Sequence, residues 1–314
     1  MRPCGIMFHH FHGGRHTAGQ GSISADELTA MIESIGTERI LCAREFLQRA
    51  ERGTLRDDSV CLTFDDNLKC QFDIARPVLA RFRLTAFWFI ATGVFRGRPQ
   101  PVELHRTFRE RHFASIDDFY GVFDLAWQAS PHAAHIQQRL ANFDPQSFLS
   151  EFPFYTLADR RYRYIRDEIL GGAAATEIID QMMRDAHVDA SALAADLWMS
   201  PEQVCSLHSD GHVIGLHTHT HPTRVAYLSP AEQEREYRDN YMQLMELLAE
   251  PIRVMSHPCN SYSETTLAVL RKLGIALGFR SNMELSSHGP LEFPREDHAN
   301  VFARMQKAAT EERL

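Results

Sequence analysis

The chain has 314 residues, a length that fits one or two domains. Hydrophobic residues make up 44% of it and charged residues 24%, which excludes a disordered tail, a collagen-like fibre and a small disulfide-stapled protein. The formal net charge of −8 disfavours nucleic acid as a partner, and because no apolar run of about 18 residues occurs, we expect no stable membrane insertion.

The N-terminal segment and the cysteines favour a cytoplasmic location. Residues 1–10 contain no apolar stretch followed by a cleavage site of small residues, so no secretory signal is predicted. The six cysteines are scattered without a Cys-x-x-Cys pair, and we expect free thiols in a reducing compartment.

The first part of the chain alternates short apolar segments with helical patterns. The predicted elements are a strand at 3–11, a helix after the capping box of Ser24 and Glu27, a helix at 43–51, a strand at 60–64, a helix at 67–82 and a strand at 84–91. The last three form a βαβ unit, which implies parallel neighbouring strands.

The pattern changes in the middle of the chain. Residues 95–200 show helical periodicity without clear strands and are interpreted as a helical insertion. Strands are then predicted at 213–217, 252–256 and 275–279, and helices at 229–249 and 263–273. Alternating strands and helices predict a parallel sheet, open or closed into a barrel, so we divide the chain into parts 1–94, 95–200 and 201–314.

In either arrangement, chemistry is expected at the carboxyl ends of the strands. Asp65 and Asp66 follow the buried strand at 60–64. In an extended chain their side chains point to opposite sides, so one carboxylate can bind a cation while the other accepts a proton. The competing interpretation is that one of them caps the following helix.

Three alternating histidines, His217, His219 and His221, follow another predicted strand. Imidazole is a common zinc ligand. His217 and His221 share one face of a helical turn, whereas all three share a face of an extended strand, so the spacing leaves the ligand pair open. A polar histidine-rich loop is the alternative. One carboxylate with two imidazoles leaves a fourth position open, which is typical of a catalytic metal.

Three segments, taken in order, resemble the motifs of the polysaccharide deacetylase family, also called the NodB-homology family or carbohydrate esterase family 4. Thr63-Phe64-Asp65-Asp66-Asn67 resembles its Thr-Phe-Asp-Asp-Gly motif, and His217-Thr218-His219-Thr220-His221 resembles its His-Ser/Thr-x-x-His motif. Ser256-His257-Pro258-Cys259-Asn260, which alone reads as an ordinary turn, resembles its Ser-Tyr-Pro-Phe-Gly form. The similarity covers residues 58–92 and 211–297.

This resemblance implies a distorted (β/α) barrel with fewer than eight strands, which here carries the helical insertion. It implies a divalent metal, most often zinc, held by Asp66, His217 and His221, with Asp65 as the catalytic base. By analogy, the backbone N–H of Cys259 stabilises the oxyanion that forms on an N-acetyl carbonyl. The implied substrate is an N-acetylated sugar.

Asn67 and Cys259 are among the departures from the family pattern, and one charge must come from elsewhere. Asn67 replaces glycine but tolerates the same left-handed backbone. Cys259 replaces an aromatic residue, which alters the wall of the substrate site. Arg295 is the candidate to orient Asp65, and a surface salt bridge is its alternative.

The acid that protonates the leaving amine is not settled by the motifs, and His288 and His257 are its candidates. His10 and His12 share a face of the first predicted strand, where they either line the pocket mouth or contact a phosphate. A merely polar strand end is the alternative reading of these two histidines.

The sequence therefore predicts a cytoplasmic metal-dependent hydrolase that removes an N-acetyl group from a sugar. The substrate expected is a nucleotide-linked or lipid-linked precursor of a surface polysaccharide such as O-antigen. One alternative is an amidohydrolase that acts on a small non-sugar N-acyl compound or cyclic amide at the same site. The other is a non-catalytic carbohydrate-binding or assembly subunit, against which the intact Asp65, Asp66, His217 and His221 count.

Overall fold

Seven short strands form one sheet in the computed structural model, which describes residues 2–150, 155–284 and 289–311. The strands are β1 (Cys4–Phe8), β2 (Val60–Phe64), β3 (Phe87–Ile90), β4 (Val213–Leu216), β5 (Val254–Ser256), β6 (Leu277–Phe279) and β7 (Arg295–Asp297). Their order in space is β6-β5-β4-β3-β2-β1-β7, and every neighbouring pair is parallel.

The two edge strands approach each other and nearly close the sheet. Phe279, at the end of β6, forms a parallel bridge with Phe293, which lies just before β7. Gly278 is required there, since a Cβ at this position would lie 2.5 Å from the carbonyl oxygen of Leu291. The expected distorted (β/α) barrel with fewer than eight strands is therefore confirmed.

The chain divides into two units, Met1–Arg98 with Trp198–Leu314 and Pro99–Leu197. Helices of the first unit are α1 (Ala25–Ile35), α2 (Ala43–Arg52) and α3 (Arg76–Phe82). The second unit contains α4 (Pro101–His112), α5 (Ile116–Gln128), α6 (Ala133–Leu140), α7 (Leu157–Arg163), α8 (Gly171–Asp185) and α9 (Ala190–Ala194). The first unit continues with α10 (Pro201–Ser209), α11 (Pro230–Leu248), α12 (Glu264–Lys272) and α13 (His298–Glu311).

Each unit has its own apolar core. In the barrel unit, Leu62 and Phe64 of β2 pack into a large cluster of apolar side chains, to which the surrounding helices also contribute. Cys61 belongs to a smaller apolar cluster on the opposite face of the sheet. This alternation follows from the period of two in a strand, and it turns Thr63 and Asp65 towards the same face as Cys61. The second unit buries a separate cluster of its own side chains, for example Phe119 and Tyr162.

Several observed elements differ from the predicted ones. The first strand ends at Phe8 rather than at residue 11, so the expectation that His10 and His12 share a strand face is wrong. The helix expected at 67–82 starts later, because Leu68 forms a bridge with Trp198 and a π-helical turn at Gln71–Ala75 precedes α3. Strand β7 was not predicted, since its three residues are all charged and give no apolar signal. Among the described residues, no helix has the length and apolar character needed to cross a bilayer.

Acid is expected to destabilise the barrel through His212. This side chain is 3% exposed, and its Nδ1 accepts the Ala86 N–H at 3.0 Å. Burial lowers the pKa of His212 to about 4 from 6.5, so between these pH values the unfolded chain binds a proton that the folded protein excludes. The stabilisation is complete above pH 6.5 and is lost as the pH falls through 4, a change on the order of 3 kcal/mol.

Denaturant unfolding at a series of pH values measures this effect. We expect His212→Asn to flatten the fall in unfolding free energy between neutral pH and pH 4, whereas the same change at the exposed His135 should leave the fall as in the wild type. An equally steep fall in His212→Asn and the wild type would contradict the assignment.

Candidate metal centre

The carboxyl ends of three strands of the sheet converge on one buried cluster. Asp65 and Asp66 follow β2, and His217 follows β4. Ser256 is the last residue of β5. Parallel strands present their carboxyl ends at the same rim, so residues that are far apart in sequence meet there.

Asp66, His217 and His221 form a compact set of buried donor atoms. Oδ1 of Asp66 lies 3.3 Å from Nε2 of His217 and 3.0 Å from Nε2 of His221. The three ligand atoms all lie within 4.8 Å of one another. Among the described residues, this is the one set of three or more histidine, cysteine or acidic side chains with such proximity.

The backbone at the two motifs is neither helical nor extended. Asp66 has a φ of 77°, and Thr218 and His221 have φ values of 62° and 58°. The expectation that Asp65 and Asp66 project to opposite sides is therefore wrong, because the left-handed turn at Asp66 brings its carboxylate round to the histidines. Capping does not explain the pair either, since Cys70 is the N-cap residue of the helix that follows.

The left-handed residues also decide which histidines meet. His217 and His221 face each other with ring centroids 4.8 Å apart. His219 turns elsewhere, and its Nδ1 lies 3.0 Å from Oγ1 of Thr92. Nδ1 of His217 lies 3.0 Å from the carbonyl oxygen of Ser256, which places a proton on Nδ1 and turns Nε2 towards Asp66.

Asp65 is held by a buried guanidinium. Nη1 and Nη2 of Arg295 donate to its two carboxylate oxygens at 2.7 and 2.8 Å. Oγ of Ser256 donates to Oδ2 of Asp65 at 3.1 Å and accepts from Nη2 of Arg295 at 2.6 Å. The alternative of a surface salt bridge is wrong, because the Arg295 side chain is 0% exposed.

Both carboxylates are ionised near neutral pH. Burial alone would raise the pKa of Asp65, but the charges of Arg295 and His217 and the Arg295 hydrogen bonds outweigh burial and lower it. Burial opposes ionisation of Asp66 as well, but His221 and its hydrogen bonds with His217 and His221 hold the pKa of Asp66 well below its usual range.

Of the two histidines expected as the acid, the structure describes only His257. His257 is buried, and its Nε2 donates to the Leu291 carbonyl at 2.8 Å. Burial lowers the pKa of His257 to about 3, so its ring is neutral near pH 7 and is a poor proton donor. His288 lies outside the described residues.

The remaining predicted residues, Cys259, His10 and His12, are not part of this cluster. Cys259 is exposed and has a φ of 49° in the short turn after β5. Nδ1 of His12 lies 2.9 Å from Oγ of Ser22, and the His10 ring packs against His9 at 6.1 Å between centroids.

His9 is the site residue that the sequence reasoning missed. It follows β1, and its Nε2 lies 4.0 Å from Oδ2 of Asp65 and 4.0 Å from Oδ2 of Asp66. Its side chain is 28% exposed, more than either carboxylate. The rule that chemistry occupies the carboxyl ends of strands, applied to β1 as well, would have found His9.

The donor set fits a divalent cation. Two imidazole nitrogens and one carboxylate oxygen are ligands that zinc accepts, and three protein ligands leave a position for a reacting molecule. The ligand atoms are buried at the end of a rigid parallel sheet, which is the setting expected for a preorganised centre.

Comparisons with known proteins find one family model and several solved structures of similar fold. The family model described as polysaccharide deacetylase matches residues 171–278, a span that contains His217 and His221 and begins after the aspartate pair. No curated relative matches the chain. The fold resembles that of the Streptococcus pyogenes deacetylase PplD in complex with acetate, with 17% identity, a TM-score of 0.56 and coverage of 95% of this chain and 92% of that one.

Two further solved structures share the fold. IcaB from Ammonifex degensii has 15% identity and a TM-score of 0.52, with coverage of 94% of this chain and 90% of that one. A de-N-acetylase from Aggregatibacter actinomycetemcomitans has 12% identity and a TM-score of 0.52, with 94% of each chain covered. The resemblance to the polysaccharide deacetylase family is confirmed. The expectation of a hydrolase of the polysaccharide deacetylase type rests on this family-model match, and the solved structures support the fold.

In this deacetylase-like chain, Arg295→Ala should lower the unfolding free energy at neutral pH by about 3–5 kcal/mol. The reason is that the charge of Asp65 would stay buried without the guanidinium that compensates it. Adding Asp65→Asn should recover part of that loss, since the uncompensated charge is removed. Denaturant unfolding of the single and double variants measures both effects. Arg253→Ala, which breaks an exposed pair with Glu51, is the matched control and should cost below about 1 kcal/mol. An Arg295→Ala loss as small as this control would contradict the buried ion pair.

Proposed function

We propose that this protein removes the N-acetyl group from a sugar in a nucleotide-linked or lipid-linked precursor of a surface polysaccharide such as O-antigen. One observation carries the proposal: a buried Asp66–His217–His221 set stands beside a second carboxylate, Asp65, that is ionised and ion-paired. Hydrolysis of an amide needs an activated water and a base. The three-residue set offers a site for a cation that would activate the water, and Asp65 offers the base.

Asp66, His217 and His221 are proposed to hold a divalent cation, with zinc as the expected metal. When bound, such a cation lowers the pKa of water and polarises a carbonyl group. Proton transfer is assigned to side chains of the protein. Asp65, fixed by Arg295 at both oxygens, accepts the proton of the attacking water.

Two further groups complete the proposed reaction. The backbone N–H of Cys259, in the turn after β5, is proposed to donate to the carbonyl oxygen as negative charge develops on it. His9 is proposed to donate a proton to the leaving amine, because its side chain is partly exposed and its Nε2 lies 4.0 Å from both carboxylates. Burial lowers the pKa of His9, but the charges of Asp66 and Asp65 oppose this shift and favour the protonated ring, which distinguishes His9 from His257.

A cytoplasmic precursor is the substrate class we propose. All six cysteines are free thiols, four of them at least partly accessible, which suits a reducing compartment. The net charge of −8 argues against nucleic acid as a partner.

Release of free amine from N-acetyl sugar nucleotides tests this function. We expect amine release by the purified protein, its loss after treatment with a chelator, and its recovery when zinc is added back. Deacetylation that continues undiminished after verified metal removal would defeat the metal-dependent mechanism. Release from small non-sugar N-acyl compounds but not from sugars would favour the amidohydrolase alternative.

Variants separate the metal ligands from the proton-transfer residues. Asp66→Ala and His217→Ala should abolish metal binding, whereas Asp65→Asn and His9→Ala should keep the metal and lose turnover. Metal content by mass spectrometry and amine release are the two measurements. Equal metal loss in Asp65→Asn and Asp66→Ala would show that the base is wrongly assigned, and full turnover by Asp65→Asn would favour a role without catalysis.

A further inference from the structure

We propose that Glu236 and Asn240 of α11 are positioning residues that set the cation affinity of the centre by fixing the loop at His217–His221. The inference rests on the metal-ligand roles proposed above, and neither residue belongs to a motif that indicated the site. The two residues are four apart on a helix and therefore share one face of α11.

The loop needs external support because its backbone is strained. Thr218 is β-branched and fully buried, yet it has a φ of 62°. His221 is also left-handed, with a φ of 58°. A residue other than glycine in this region costs on the order of 1–3 kcal/mol and persists only where its surroundings determine the conformation.

Glu236 holds the middle of the loop. Its Oε2 accepts the backbone N–H groups of His219 and Thr220 at 3.0 and 2.8 Å, and its Oε1 accepts the Thr220 hydroxyl at 2.8 Å. Three hydrogen bonds to one carboxylate are charge-assisted and stronger than neutral ones. They fix the chain between the two imidazoles that face Asp66.

Asn240 holds the start of the loop and ties it to β3. Its Oδ1 accepts the His217 N–H at 2.9 Å, and its Nδ2 donates to the Ile90 carbonyl at 2.9 Å and to Oγ1 of Thr92 at 3.0 Å. The Asn240 side chain is fully buried, so each of these bonds would be costly to leave unmade.

The turn after β3 meets the loop from the other side. The Gly93 N–H donates to the His219 carbonyl at 2.6 Å, and a Cβ at Gly93 would lie 2.7 Å from that oxygen. Together with Glu236 and Asn240, this contact leaves the loop one conformation, the one in which the His217 and His221 rings face each other. Loss of either α11 side chain should let the strained residues relax and separate the ligands.

Zinc affinity of the metal-stripped protein, measured by competition with a chromogenic chelator, tests the inference without any sugar substrate. We expect Glu236→Gln to weaken zinc binding by about 10- to 100-fold while the thermal midpoint of the metal-free protein stays close to that of the wild type. Glu234→Gln is the matched control, because Glu234 lies on the same helix, pairs with Lys272 at 2.8 Å and makes the same charge change.

Asn240→Ala should also weaken zinc binding, although it changes no charge. This variant therefore separates the positioning of the ligands from the electrostatic attraction between Glu236 and the cation. Wild-type zinc affinity in Glu236→Gln or in Asn240→Ala would overturn the inference, as would an equal loss in Glu234→Gln. Zinc binding that responds to Glu236 in a protein that deacetylates no sugar would support the inference and refute only the proposed function. A wild-type chain that binds no zinc would overturn both.

Discussion

Two neighbouring carboxylates buried at the end of one strand are the constraint around which the site is built. Left without partners, Asp65 and Asp66 would repel each other and suffer the full penalty of desolvation. The fold gives each a different partner: the guanidinium of Arg295 takes both oxygens of Asp65, and the imidazoles of His217 and His221 face Asp66. This division makes one carboxylate a fixed anion and leaves the other with the chemistry of a metal ligand.

Near-closure of the barrel is what makes that division available. Arg295 begins β7, which pairs with β1, and its side chain reaches Asp65 across 230 residues of sequence. The bridge between Phe279 and Phe293 brings β7 round to β6, so Ser256 of β5 can contact the same ion pair. The strained, left-handed residues of the ligand loop persist because α11 and the turn after β3 hold them from two sides.

The sequence predicted those parts of the site that are marked by a local pattern of residues. Strand 60–64 was predicted with its observed bounds because it is a continuous apolar run, and the residues that follow it, Asp65 and Asp66, do lie beside His217 and His221. Strand β7 was missed because a three-residue charged strand carries no apolar periodicity, and His9 is marked only by its place directly after β1. The left-handed turn at Asp66 and the contacts of α11 depend on long-range packing, which residue spacing does not encode.

The most direct test of this account is zinc K-edge X-ray absorption on the protein loaded with one equivalent of zinc. The account predicts a first shell of nitrogen and oxygen only, at about 2.0–2.1 Å, with the outer-shell scattering of two imidazole rings, and loss of one ring's contribution in His221→Ala. A sulfur scatterer at about 2.3 Å, or a spectrum unchanged by His221→Ala, would mean that zinc binds elsewhere and that this cluster is not the metal centre.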